Sequence, residues 1–277
     1  MCPIFISLFS LPEVARNVSD VVYCFHVKYQ EVFMENSVFP AARRRYARLS
    51  GSTLKILALL CMLIDHIGAA ILYEGILLPG APIVIGTPLY RLYLFYRVLR
   101  FIGRIAFPIF CFLLLQGFLY TSNRRKYVTR LGVFALVSEI PFDLALNNQL
   151  LEFGHQNVFF TLFIGLLVLM VMERYEKNPY IQLGAVAAGM GLAWLLKTDY
   201  SYHGILLIAI LYFFRFYPLL QTIAGCLSLL WEAPACLAFL PINLYNGKRG
   251  LSLKYLFYLF YPVHLLALAG IRMLFLA

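Results

Sequence analysis

The stretch LIDHIG, residues 63–68, sets Asp65 beside His66 inside an apolar run, with TLKILALLCM before it and AAILY after it. Ionisable groups at membrane depth cost a few kcal/mol and mark functional sites by default. The chemistry open to them is acid–base or proton-relay work. Lys55 precedes His66 by eleven positions, which returns to nearly the same helical face about 16 Å along the axis. Lys55 therefore reaches a membrane surface while His66 points into the middle of the bundle. Asp65 projects about 100° away from His66 and is a poor orienter of the imidazole. Its expected partner is an arginine from another segment, Arg104 or Arg100. For His66 the plain alternative is a core histidine bonded to a neighbouring helix.

Further polar groups lie in other apolar runs. Glu139 and Asp143 stand four apart around Pro141. Like charges at that spacing repel, so one is protonated, paired or near water, either for acid–base work or at a kinked helix end facing Arg97 or Arg100. Gln156 and Asn157 open the next run, as helix caps or as donors to a carbonyl oxygen. Tyr258, Tyr261 and His264 recur at three-residue steps on one helical face. Such a stripe is commonly packing, but a tyrosine–histidine pair at membrane depth needs polar partners. Asp199 and His203, in TDYSYHG, read as a surface loop. Arg97, Arg100 and Arg104 share one face of the segment YRLYLFYRVLRFIGR, which predicts either an amphipathic interfacial helix or a re-entrant helix turned toward a polar cavity.

The elements that position these groups follow from composition. Of 277 residues, 62% are hydrophobic and 13% charged, with a net charge of +10 and a mean hydropathy of +0.80. A soluble domain carries about 25% charged residues. The chain therefore reads as an all-α polytopic membrane bundle of about eight transmembrane helices. Spans are expected near 53–73, 102–121, 127–146, 157–173, 180–197, 203–217, 219–240 and 254–276. Basic residues cluster between the runs, so the charge is explained by lipid headgroups and the positive-inside rule, not by nucleic acid. Arg43, Arg44, Arg45, Arg48 and Lys55, then Arg124, Arg125, Lys126 and Arg130, then Arg174, Lys177 and Arg215 fall on one, cytoplasmic side if eight spans hold. Both termini are then inside, and the protein is a multi-pass membrane protein. Residues 1–50 form a poorly defined extension with Met34 a candidate start, and residues 51–277 form the membrane domain. The six cysteines include no C-x-x-C pair; neither a disulfide framework nor a metal site is read.

Six segments, LKILALLCMLIDHIG, GRIAFPIFCFLLLQGF, YVTRLGVFALVSEIPFDLAL, QNVFFTLFIGLL, TDYSYHGILLI and LYNGKRG with KYLFYLFYPVHLLAL, together resemble the TraX family, whose name-giving member acetylates the N-terminus of F-pilin. The resemblance covers residues 53–268, in the family's order. A fainter likeness points to a wider group of transmembrane acyltransferases, through the Lys55-to-His66 spacing, Gly117-Phe118 followed by the basic patch, and Tyr261-x-x-His264. The resemblance implies acetyl transfer from acetyl-CoA to an acceptor amine or hydroxyl, on a protein such as pilin or on a glycan. Arg124, Arg125, Lys126 and Arg130 would meet the CoA phosphates, with Lys55 and the Arg97, Arg100 and Arg104 group as further binding candidates. His66 would act as general base or transient acetyl carrier, with Asp65, Glu139, Tyr261 and His264 around it. Arginine, Asn157 or a tyrosine hydroxyl would hold the oxyanion. The competing readings are a small-molecule or proton-coupled transporter, and a non-enzymatic component of a membrane assembly.

Overall fold

Ser50 opens the helical part of the chain. Its hydroxyl accepts from Thr53 N at 3.2 Å and caps α1, Gly51–His66. The computed structural model describes residues 47–251 and 254–275, so Arg43, Arg44, Arg45 and most of the expected extension lie outside the described residues. Directly after His66 the helix widens into a π-helical stretch, Ile67–Leu77, a geometry common at functional sites. Then follow α2 (Pro88–Gly103), α3 (Ala106–Tyr120), α4 (Arg124–Val137), α5 (Glu139–Leu146), α6 (Val158–Arg174), α7 (Pro179–Leu195) and α8 (Ser201–Phe213). After α9 (Pro218–Ser228) come a 3₁₀ stretch, Leu230–Ala238, then α10 (Phe239–Asn243) and α11 (Lys254–Phe275). Among the described residues, three segments are long and apolar enough to cross a bilayer: Gly51–Leu77, Pro88–Tyr120 and Tyr258–Phe275. Shorter apolar helices accompany them, and the chain is a helical membrane protein. The core sits where α3, α6 and α8 meet, around Phe112, Phe118, Leu166 and Ile208.

The arginine-bearing segment turns two of the three arginines on its shared face, Arg100 and Arg104, toward a polar cavity. It is α2, and it runs on into α3 through a break at Arg104 and Ile105. Leu94, Phe95, Val98 and Phe101 stay exposed on its outer face, while Arg100 and Arg104 turn inward to carboxylates. The expected single span over 219–240 is a hairpin. Thr222 bonds to Asn243 at 2.9 Å, and Cys236 Sγ donates to the carbonyl of Cys226 at 3.5 Å, so the two arms run antiparallel. Glu232 leaves helical geometry at the tip (φ −137°, ψ 59°), and Pro234 removes a backbone donor just beyond it.

The hairpin reverses the placement of everything after it. Gly51 N and Ser52 N donate to the carbonyls of Lys248 and Arg249 at 2.8 and 3.0 Å, so the loop 244–251 lies at the same end of the bundle as Arg48. From there α11 runs to the opposite end, where Arg272 donates to the carbonyls of Ala145 and Leu144 at 2.7 and 2.6 Å. The two ends of the described chain are therefore at opposite ends of the bundle, not on one side. Arg124, which pairs with Glu173, and Arg215, which pairs with Glu176 at 2.8 Å, share the Arg48 end.

Candidate functional site

A stripe of α1, Lys55, Leu59, Met62 and His66, runs past two cavities. The wider, about 910 Å³, opens at the Arg48 end and is lined by Lys55, Leu59 and Met62. The narrower, about 250 Å³, lies toward the other end and is lined by Met62, Asp65 and His66. Both cavities share Met62, Phe110, Val158 and Tyr261, so these four side chains form the partition between them. The spacing i, i+4, i+7, i+11 keeps one helical face on both chambers.

His66 stands just past the partition, 8% exposed. Its Nδ1 lies 2.7 Å from Nε2 of His264, and Nδ1 of His264 lies 2.6 Å from the carbonyl oxygen of Phe260. A carbonyl only accepts, so His264 Nδ1 carries a proton and donates it. With both rings neutral, His264 Nε2 is then an acceptor and His66 Nδ1 donates to it. That leaves the lone pair of His66 Nε2 for other work. The rings are stacked, 8° apart in plane. Tyr261 meets His66 edge-on, with centroids 5.9 Å apart. Pro262 and the i−4 bond from His264 to Phe260 sit in the same turns of α11.

Asp65 points away from the imidazole, as its position on the helix requires, and pairs with Arg100 at 2.5 Å. Gly103 makes this possible, since any Cβ there would overlap the Asp65 carboxylate. Arg104 instead pairs with Glu232 at the hairpin tip, at 2.7 Å. Asp199 lines the narrow cavity and pairs with His155 at 3.3 Å. His155 belongs to the loop after α5. Its hydrogen bond to Asp199 raises its pKa above the usual histidine value, against partial burial. His203 stacks on Trp231, with centroids 4.3 Å apart.

Glu139 and Asp143 do not face Arg97 or Arg100. Asn157 donates through Nδ2 to Glu139 and to the Ala135 carbonyl. Its Oδ1 accepts from Phe159 N at 3.0 Å, capping α6. Both amide hydrogens are thus engaged, which removes Asn157 from the oxyanion donors. Asp143 accepts from Asn147 Nδ2 at 3.1 Å and Glu152 N at 2.8 Å. These residues brace the α5–α6 turn beside the site.

The expected phosphate-binding set divides. Lys55, Lys126 and Arg130 line the wide chamber. Arg124 is paired with Glu173 and lies over the Phe118 ring, and Arg125 is exposed outside the lining. Arg97 is exposed and bonds Tyr93 at 3.1 Å. Arg100 and Arg104 belong to the narrow cavity. Sequence reasoning missed Arg249, which lines the wide chamber, because it placed the loop 244–251 at the other end. It also missed Glu232, whose signal was a carboxylate two positions before a proline in an apolar run.

The TraX protein family model matches residues 50–272. A probable fimbrial assembly protein of Dichelobacter nodosus, FimC of serogroup H1, is 29% identical over 257 residues, covering 81% of this chain and 96% of that protein. No solved structure matches.

Proposed function

The chain belongs to the TraX family, and from that premise we propose that it is a multi-pass acetyltransferase of the bacterial inner membrane. Acetyl-CoA enters the wide chamber from the cytoplasm, and an acceptor amine or hydroxyl enters the narrow cavity from the other side. The observation that carries this reading is the pair of cavities meeting at Met62, Phe110, Val158 and Tyr261, with His66 against that partition. The basic end, with Arg48, Lys126, Lys248 and Arg249, is the cytoplasmic one by the positive-inside rule.

In the reaction, the acceptor nitrogen or oxygen attacks the thioester carbonyl carbon while His66 Nε2 takes its proton. The carbon–sulfur bond then breaks, and His66 returns the proton to the departing thiolate. His264 holds His66 in the required tautomer. The Tyr261 hydroxyl, at the partition, replaces Asn157 as the oxyanion donor. Fimbrial assembly, the role in the name of the Dichelobacter nodosus relative, supports a pilin-type protein as acceptor. Back-to-back cavities are also the form of a transporter caught between two access states, the second reading. Purified protein with acetyl-labelled acetyl-CoA separates the two. Label transfer that His66→Ala abolishes while the variant still inserts and folds is the expected result. Uptake into vesicles without transfer overturns it.

A further inference from the structure

The outer ends of the helices are not level. α7, α8 and α9 have 17, 13 and 11 residues, about 25, 20 and 16 Å in length, against a hydrocarbon core about 30 Å thick. α8 starts level with the first turn of α3, because Tyr200 stacks on Phe107 with centroids 3.4 Å apart. The hairpin tip is level with the α2–α3 break, where Glu232 meets Arg104. α2 continues well beyond that break. Its exposed apolar residues Leu94, Phe95, Val98 and Phe101 all lie there, and its exposed Arg97 and Arg91 stand about 10 and 20 Å further out than Arg104. Arginine and tyrosine anchor a helix at the membrane–water interface, and Arg97 bonds Tyr93 at that level. The bundle is thus stepped, with α2 and the π-helical stretch on a tall side and α6–α9 on a low one. The narrow cavity lies at the step. Tyr73, Glu74 and Tyr96 line it from the tall side, and His155, Asp199 and Tyr200 from the low one.

The low rim is built for contact with lipid. Leu150, Phe153, Trp194, Leu195 and Leu230 are exposed on it. They continue the apolar outer faces of α7 and α9, where Leu183, Leu192, Leu219 and Ile223 are exposed. The backbone donors of the rim are spent inside the protein. Glu152 N donates to Asp143 at 2.8 Å, and Gln156 N and Thr198 N donate to the carbonyls of Lys197 and Ala193 at 3.0 and 3.1 Å. Irregular backbone is tolerated at membrane depth only when it is satisfied in this way. A bilayer meets short apolar helices by thinning around them. We infer that the outer leaflet thins over the α6–α9 side and borders the mouth of the narrow cavity, so that the cavity takes its ligand sideways, as the polar head of an amphiphile whose apolar part stays in the bilayer. The route rests on the step alone. That the head is an acetyl acceptor rests on the transferase reading above, which this inference narrows to bilayer-anchored amines or hydroxyls.

The two tryptophans of the chain, Trp194 and Trp231, both stand on the low rim and report its surroundings. Trp194→Phe and Trp231→Phe each leave a single reporter, and thermal melting checks that both variants fold. Fluorescence is read in nanodiscs, with phospholipid brominated on its acyl chains as the quencher in lipid and acrylamide as the quencher in water. Lys177→Trp, in a chain lacking both natural tryptophans, is the aqueous reference at the other end of α7, where Lys177 is exposed. The expected result is quenching of both rim tryptophans by the brominated lipid, and loss of most of the acrylamide quenching seen in the reference. Acrylamide quenching equal to the reference, with none from lipid, puts the rim in water and overturns the inference. The mouth is tested with phosphatidylethanolamine carrying a photoactivated diazirine on its head group, and the adducts are mapped by mass spectrometry. Adducts on Tyr73, Tyr96 or Tyr200 are expected. Adducts confined to the outer faces of α7 and α9 would show a cavity closed to the leaflet and overturn the inference. Cavity adducts without acetyl transfer leave it standing and sink the transferase reading, whereas acetyl transfer with a rim in water does the reverse.

Discussion

At the scale of single residues, the informative bond is the one between His66 and His264. A lone imidazole in a cavity wall interconverts between tautomers and turns about its χ2 bond. Here the Phe260 carbonyl fixes His264, and His264 fixes His66. Under the proposed mechanism, His264→Leu is expected to lower kcat by about 10²-fold, the lower end of what positioned acid–base groups contribute, with the donor KM unchanged. His264→Gln, whose amide oxygen still accepts from His66 Nδ1, should recover part of the loss. Steady-state kinetics on both variants checks this; equal losses in kcat would leave His264 a packing residue. Asp65 has a different function. Its carboxylate neutralises Arg100 where both are largely withdrawn from solvent, 13% and 23% exposed. Asp65→Asn is expected to destabilise by about 3 kcal/mol, because it strands a buried cation. Removing the charge from the partner as well, with Arg100→Met, should restore much of this in a denaturation assay. Gly103→Ala should reproduce the defect without touching either charge, since the added methyl takes the space of the carboxylate.

At the scale of elements, the α5–α6 connection is braced by Asn157 and tied across to the α7–α8 loop. Asn157→Ala is expected to cost about 1 kcal/mol for the lost cap and about 1 kcal/mol more for each buried acceptor left without its donor. Loss of thermal stability relative to Gln156→Ala, whose side chain makes one long bond of 3.4 Å, measures the difference. The tie between loops is His155 with Asp199, seconded by Gln156 N bonding the Lys197 carbonyl at 3.0 Å. His155 has a folded-state pKa above its ordinary value of 6.5, chiefly through its bond to Asp199. A raised histidine pKa stabilises fully below the unfolded value and loses that contribution as pH rises through the folded one. The loop 147–157 should therefore become more open as pH climbs above about 6.5. Hydrogen exchange of that loop between mildly acidic and mildly alkaline pH is the measurement. In His155→Gln the pH dependence is expected to vanish, and its persistence would assign the effect to another group.

At the scale of the whole molecule, the α9–α10 hairpin sets which end of the bundle each late residue occupies. Lys248 and Arg249 return to the Arg48 end, and Phe275 finishes at the other. In cells, a cysteine placed at Leu251 is expected to react only with reagents that reach the cytoplasm. A tag fused after Ala277 should be accessible from outside. The reverse pattern would remove the hairpin and with it the place of Arg249 in the wide chamber, whereas both sites labelled from one side would mean that α11 does not cross. The same trace explains why the positive charges gather so strongly: with the loop 244–251 returned, the basic clusters at Arg48, Arg124–Arg130, Arg174–Lys177 and Lys248–Arg249 share an end.

The sequence alone determined that the chain is a helical membrane protein, that Lys55 and His66 share a stripe, that Asp65 needs an arginine, and that Tyr261 and His264 share a helical face and need polar partners. These are consequences of composition and of the 3.6-residue period, both of which act within one helix. What only the tertiary structure decided is which arginine Asp65 takes, that His264 orients His66, that Asn157 is spent on bracing, and that residues 219–240 fold back. Each of these turns on contacts between segments far apart in the chain. A hairpin and a crossing have nearly the same hydropathy, and only packing against Arg104 and Leu211 tells them apart. Donor and acceptor partners across helices are chosen by distance, about which the order of residues says nothing.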